Sequence, residues 1–235
     1  MHDIPAAFGL AFALLVSGDP DLWEIVLLSL RVSLTAVAIA CAIGLPLGAA
    51  LAVSRFPGRM GVVTLVNALM SLPPVVVGLG VYLAISNSGP LGVLQLLYTP
   101  AAMIIAQTIL VAPIVTALTR QVVEDLAREY DEHLRSLGIG WAGLVSTLLW
   151  DARYSLITAA LAGVGRAIAE VGAVIIVGGN INHVTRVMTT AIALETSKGD
   201  LALALALGII LIAIAIAINA ALMALRGTAG RLAYV

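Results

Sequence analysis

LALALALGIILIAIAIAINAALMAL (residues 201–225) decides the fold class of this chain. Its Leu/Ala and then Ile/Ala alternation imitates a strand, but its length does not. About twenty-five apolar residues run without a charge, whereas a barrel strand is about ten residues long and keeps one polar face. Read as a helix, the stretch rises about 1.5 Å per residue and exceeds the roughly 30 Å of a hydrocarbon core. The chain is therefore expected to be an all-α integral membrane protein.

Four further stretches upstream are also long and apolar enough to cross, at about residues 25–53, 61–85, 97–118 and 156–177. The composition agrees: 61% of the 235 residues are hydrophobic and only 11% are charged, against roughly 25% charged in a soluble domain. That is too little charge to coat a water-facing surface. One bundle of about five crossing helices, a single transmembrane domain over residues 1–235, is expected. Residues 4–16 are apolar but too short to cross, and fit an interfacial helix ending at the Gly18-Asp19-Pro20 break. The N-terminal MHDIPAAFG lacks the basic region of a cleavable signal peptide. The lone Cys41 excludes an intrachain disulfide and a cysteine metal cluster.

Orientation follows the Lys and Arg residues of the loops. SRFPGR (54–59) carries Arg55 and Arg59, the NSGPLG loop carries no charge, and the tail carries Arg226 and Arg231. The segment RQVVEDLAREYDEHLRSLGIGWAGLVSTLLWDAR (120–153) holds four of the twelve basic and six of the thirteen acidic residues. These three basic regions are expected in the cytoplasm, with the N-terminus outside. Arg186 and Lys198 dissent and are outnumbered. Asp3, Asp19, Asp21 and Glu24 cluster at the opposite, outer end.

The charged segment contains its own helical pattern, with Leu126, Leu134 and Leu137 on a stripe and Gly138 and Gly140 ending it. A helix of this kind either lies flat on the membrane surface or docks into a groove of a soluble partner. The chain has no Gly-x4-Gly-Lys-Ser/Thr phosphate loop, so nucleotide hydrolysis is expected elsewhere.

Several polar residues fall inside the apolar stretches. Arg166 and Glu170 are four apart on the fourth helix, where a charge costs roughly 2.5–3.5 kcal/mol on insertion scales. They form either an internal ion pair that locks packing or a site where Arg166 meets an anion and Glu170 orients it. The carboxylate would cancel much of the attraction in the second case. Ser71-Leu72-Pro73-Pro74 should break the second helix, because two prolines remove backbone donors. The break either shapes packing or forms a gate, with Asn67 and Ser71 offering neutral donors. Gly44 and Gly48, flanking Pro46, permit close helix approach. Gly178-Gly179-Asn180 ends the fourth helix at the outer face. His2, His133 and His183 are scattered between the two sides, which argues against a shared metal site.

Three stretches carry a resemblance. Glu132-His133-Leu134-Arg135-Ser136-Leu137-Gly138 resembles the Glu-Ala-Ala loop of binding-protein-dependent ABC importer permeases in its Glu-to-Gly spacing. It departs from that pattern at His133 and Leu134, and Leu148-Leu149-Trp150-Asp151 lacks the proline that usually follows. LMSLPPVVVGLGVYLAISNSGPLG (69–92) and GRAIAEVGAVIIVGGNI (165–181), continuing into VTRVMTTAIALETSKGD, are similar to the molybdate and tungstate branch of that family, tungstate-type most closely.

The resemblance implies a type I importer permease core of the MetI-like kind, used as a homodimer in a prokaryotic inner membrane. It implies two cytoplasmic ABC ATPases holding ATP and Mg, docked on the 120–153 region, and an external oxyanion-binding protein. No cofactor is expected in this chain, and no nucleic-acid partner. Asn67, Ser71, Pro73, Pro74, Arg166, Glu170 and Asn180 are the candidates for a path or gate. Molybdate or sulfate is the alternative substrate; a passive anion channel or membrane scaffold is the alternative class. An intramembrane enzyme would need converging acid, base and nucleophile, and Glu170, matched by Arg166, is the one clear central carboxylate.

Overall fold

The computed structural model describes residues 4–130 and 140–232, and among them it is helical, with no strand. In chain order the helices are α1 (Ile4–Ser17), α2 (Pro20–Val53), α3 (Arg59–Met70), α4 (Pro74–Ile85), α5 (Pro100–Glu129), α6 (Trp141–Asp151), α7 (Arg153–Ile168), α8 (Gly172–Gly178), α9 (Met188–Lys198) and α10 (Leu201–Leu232). A 3₁₀ turn, Gly92–Leu94, precedes α5. Helices α2, α5 and α10 are each long and apolar enough to cross a membrane, and the bent pairs α3–α4 and α7–α8 bring the number to five if each is one span. The expected count of five thus holds in that form.

The boundaries moved in three places, each for a local reason. The first crossing helix begins at Pro20 rather than near Ile25, because Asp19 accepts the Leu22 N–H at 3.0 Å and caps it. The third was expected to end near Leu118, yet α5 continues to Glu129. Hydropathy falls there, but Arg120 and Arg128 both pair with Glu124 at i,i+4 spacing and carry the helix on. The fourth was expected to be continuous to Val177, and instead it breaks after Ile168 and resumes at Gly172. The break expected at the two prolines is present: α3 ends at Met70, Pro73 is the extended N-cap of α4, and Pro74 opens it. There its missing N–H costs nothing.

The chain divides into two compact units. The first takes Met1–Ala36, Pro73–Gln107 and Gly165–Ile218; the second takes Val37–Leu72, Thr108–Val164 and Asn219–Val235. In the first, Leu22, Met103, Val174, Val177, Met188 and Leu207 are fully buried, and α4 packs closely on α8. A Cβ on Gly78 would come within 2.8 Å of the Ala173 Cα.

In the second unit the core is Ala49, Val123, Leu148, Ala152 and Leu156, drawn from α2, α5, α6 and α7. The Gly44–Gly48 pair serves the close approach read from the sequence, since a Cβ on Gly48 would lie 2.5 Å from the Thr116 carbonyl oxygen. Arg59 joins the end of α2 to α5: its Nε donates to the Leu51 carbonyl at 2.8 Å and its Nη2 lies 3.5 Å from Glu124.

Candidate translocation hinge

The break between α7 and α8 is the most polar point inside the first unit. Interrupting a helix in an apolar interior leaves carbonyls without their N–H partners, and in a membrane the protein must supply replacements. Two side chains add donors here. Gln107 of α5 donates through Nε2 at 3.0 Å to the Ala167 carbonyl, which also accepts the Glu170 N–H at 3.2 Å, and Thr189 of α9 donates to the Glu170 carbonyl at 2.8 Å.

Glu170 sits in the gap itself, with 4% of its side chain exposed. Its Oε2 accepts from Arg166 Nη1 at 2.5 Å and its Oε1 accepts from the Ala173 N–H at 3.2 Å. The carboxylate therefore closes the end of α7 through Arg166 and caps the start of α8 at once. The expectation that both charges lie on one continuous helix is corrected, because Glu170 lies two residues past the end of α7. The internal ion pair read from the spacing is present.

Ser29 extends this polar centre to α2. It accepts the Met188 N–H at 2.7 Å and donates to the Ile25 carbonyl at 2.6 Å. A cavity of about 10 Å³ remains among Ser29, Ser33, Gln107, Glu170 and Thr189, the size of one water. Gln107 Oε1 is buried and has no protein partner there. Both carboxylate oxygens of Glu170 are thus engaged by protein donors.

The other expected site residues are distributed differently. Pro73 and Pro74 belong to the first unit and lead into α4, whose Val75 and Gly78 lie against Gly172 and Ala173 just beyond Glu170. Asn180 stands past the far end of α8 at φ 51°, with its amide engaged by Thr190 on both sides, at 3.2 and 2.9 Å. Asn67 and Ser71 are exposed and fall in the second unit. Glu132, His133, Leu134, Arg135, Ser136, Leu137 and Gly138 lie outside the described residues. Their two flanks are anchored. Glu124 gathers Arg59, Arg120 and Arg128 before them, and Leu148 enters the second core after them.

Sequence reading missed Gln107, Ser29 and Thr189. Gln107 had a signal, as a lone amide in the apolar run AAMIIAQTILVAPIV. The serine and threonine had none, since such residues sit in apolar helices for many reasons. It also missed the pairing of His183 Nδ1 with Glu24 at 2.8 Å, which holds the imidazole above its ordinary pKa chiefly by that hydrogen bond and charge. Asp21, Glu24 and His183 offer atoms within 4.8 Å of one another that could hold a cation, though all three are exposed.

Residues 44–227 match the family model described as "Binding-protein-dependent transport system inner membrane component". The chain is 43% identical to a tungstate uptake system permease protein of Peptoclostridium acidaminophilum, over 96% of this chain and 99% of that one. It is 41% identical to a probable anion ABC transporter permease protein of Haloferax volcanii, over 76% and 79% of the two chains. It is 29% identical to a sulfate transport system permease protein of Escherichia coli K12, over 75% and 63%.

Proposed function

The chain belongs to the family of binding-protein-dependent transport system inner membrane components, and from that membership we propose that it is the permease of an ATP-driven tungstate importer. One observation carries the substrate: the 43% identity to a tungstate uptake permease extends over nearly the full length of both chains. The 29% identity to a sulfate permease supports a tetrahedral oxyanion as the class and makes sulfate, with molybdate, the second reading.

In this proposal two copies form the path, and two ABC ATPases hold ATP and Mg and bind the cytoplasmic 120–153 region. An external binding protein delivers the anion. The N-terminus is outside and the C-terminus is in the cytoplasm. The chain moves substrate and performs no bond chemistry of its own. Closure of the ATPases pushes the segment from Glu132 to Gly138, and the push passes into the bundle as rigid-body motion. The anchored flanks at Glu124 and Leu148 support this reading. The breaks at Pro73 and Glu170 give the membrane helices two points that bend.

The anion passes neutral donors such as Asn67 and Ser71 rather than a fixed cation, because a strong cationic site would hold a dianion too tightly to release it. Uptake of tungstate into vesicles holding this chain, its ATPase and its binding protein tests the proposal. Uptake that needs ATP and is outcompeted poorly by sulfate is expected. Uptake without nucleotide would overturn the importer reading, and equal competition by sulfate or molybdate would overturn the substrate.

A further inference from the structure

From Ile25 to its end, α2 carries one charge, Arg31. Arg31 is exposed, and among the described residues no hydrogen bond, ion pair or ring contact holds it. Its neighbours along that face, Leu27 and Leu34, are 63% and 50% exposed. Ser29, Val32 and Ser33, on the opposite side of the helix, are buried. Arg31 thus belongs to a stripe suited to lipid.

Its depth follows from length. Residues 32–53 contain no charge, and at about 1.5 Å each they rise about 33 Å, enough to cross the hydrocarbon by themselves. The lower end of this stretch is marked by Arg59, which donates to the Leu51 and Ala52 carbonyls at 2.8 and 3.4 Å. Arg31 then stands at the opposite boundary. Helical side chains lean toward the N-terminus, which carries its guanidinium further outward, toward phosphate level. Trp23, 44% exposed and two turns earlier, is the kind of residue found in that belt.

We propose that Arg31 binds a phospholipid headgroup in the non-cytoplasmic leaflet, with the acyl chains along Leu34. A guanidinium presents paired N–H donors to two oxygens of a phosphodiester, and an exposed arginine at a hydrocarbon boundary needs such a partner. The assignment to the outer leaflet rests on the orientation proposed above.

Native mass spectrometry of the assembled transporter, titrated with phosphatidylglycerol, tests this. Arg31→Leu is expected to weaken retention of one phospholipid per permease copy by about fivefold, the factor one arginine contributes toward an anionic leaflet. Arg31→Lys should retain most of it, and oxyanion uptake should stay at the wild-type rate in both. Should Arg31→Leu fail to assemble, Arg31→Gln gives the same reading. Equal lipid retention in wild type and variant would overturn the proposal. So would displacement of the lipid by free tungstate, which would make Arg31 an oxyanion site, or separation of the two copies in Arg31→Leu, which would make it a subunit contact. Retention is measured without transport, so a wild-type protein that fails to carry tungstate leaves this test intact.

Discussion

Gly78 and Ala173 meet so closely that a single Cβ on Gly78 would stand 2.8 Å from the Ala173 Cα and 3.1 Å from its carbonyl oxygen. The atoms in the way are backbone, which cannot rotate aside. α4 follows the proline break and α8 follows the Glu170 break, so this contact joins the segments beyond two interruptions. Gly78→Val should lower stability by about 1–3 kcal/mol, the usual range for overpacking. Thermal unfolding of the purified permease in detergent measures it. Gly80→Val, where nothing lies within 4 Å of the added Cβ, should leave the midpoint nearly unchanged.

The Arg166–Glu170 pair should respond asymmetrically to substitution. Arg166→Gln leaves a buried carboxylate with its remaining donor at the Ala173 N–H, and losing one partner of a buried pair costs about 3–5 kcal/mol. Arg166 is 36% exposed, so the pair is only partly buried and the lower end is expected. Glu170→Gln strands an arginine that is already partly exposed and should be milder. Comparing detergent melting midpoints of the two variants decides the order. A transport loss in Arg166→Gln without any loss of stability would instead mark Arg166 as a residue that meets the anion.

The His183–Glu24 bond should depend on pH. The imidazole is held above its ordinary value of about 6.5, mainly by Glu24. A group raised on folding contributes fully below its unfolded pKa and loses that contribution as pH rises through the folded one. The link is therefore strongest below the ordinary histidine value, as long as Glu24 stays ionised, and fades as pH rises through the raised one. NMR titration of His183 should give a midpoint above that of Glu24→Gln. Identical midpoints would show that Glu24 does not hold the ring.

Gly138 tests the coupling role by a route independent of the described residues. Gly138→Leu should weaken association with the ATPase while membrane insertion stays normal. Co-purification of the ATPase at the wild-type ratio would argue against docking through this segment.

The residues that could be read in advance share one property: their effect is local. Residues 201–225 are a crossing helix because each residue is apolar. Pro73 and Pro74 break a helix because neither supplies an N–H. Gly48 was legible as a packing position because a small-xxx-small pattern is itself local.

The hinge was only half legible. Arg166 and Glu170 signalled a pair by spacing, yet the break between them depends on what replaces the lost helical bonds. Gln107 lies 60 residues from the Ala167 carbonyl it caps, and Ser29 lies 159 residues from the Met188 N–H it accepts. No local pattern brings such groups together. By itself the sequence determined that this is a membrane bundle with five apolar crossings, a proline break and one charged segment, because hydropathy and missing donors act residue by residue. Tertiary structure alone decided that Glu170 ends one helix and starts another, because that requires donors from distant helices to satisfy the exposed backbone.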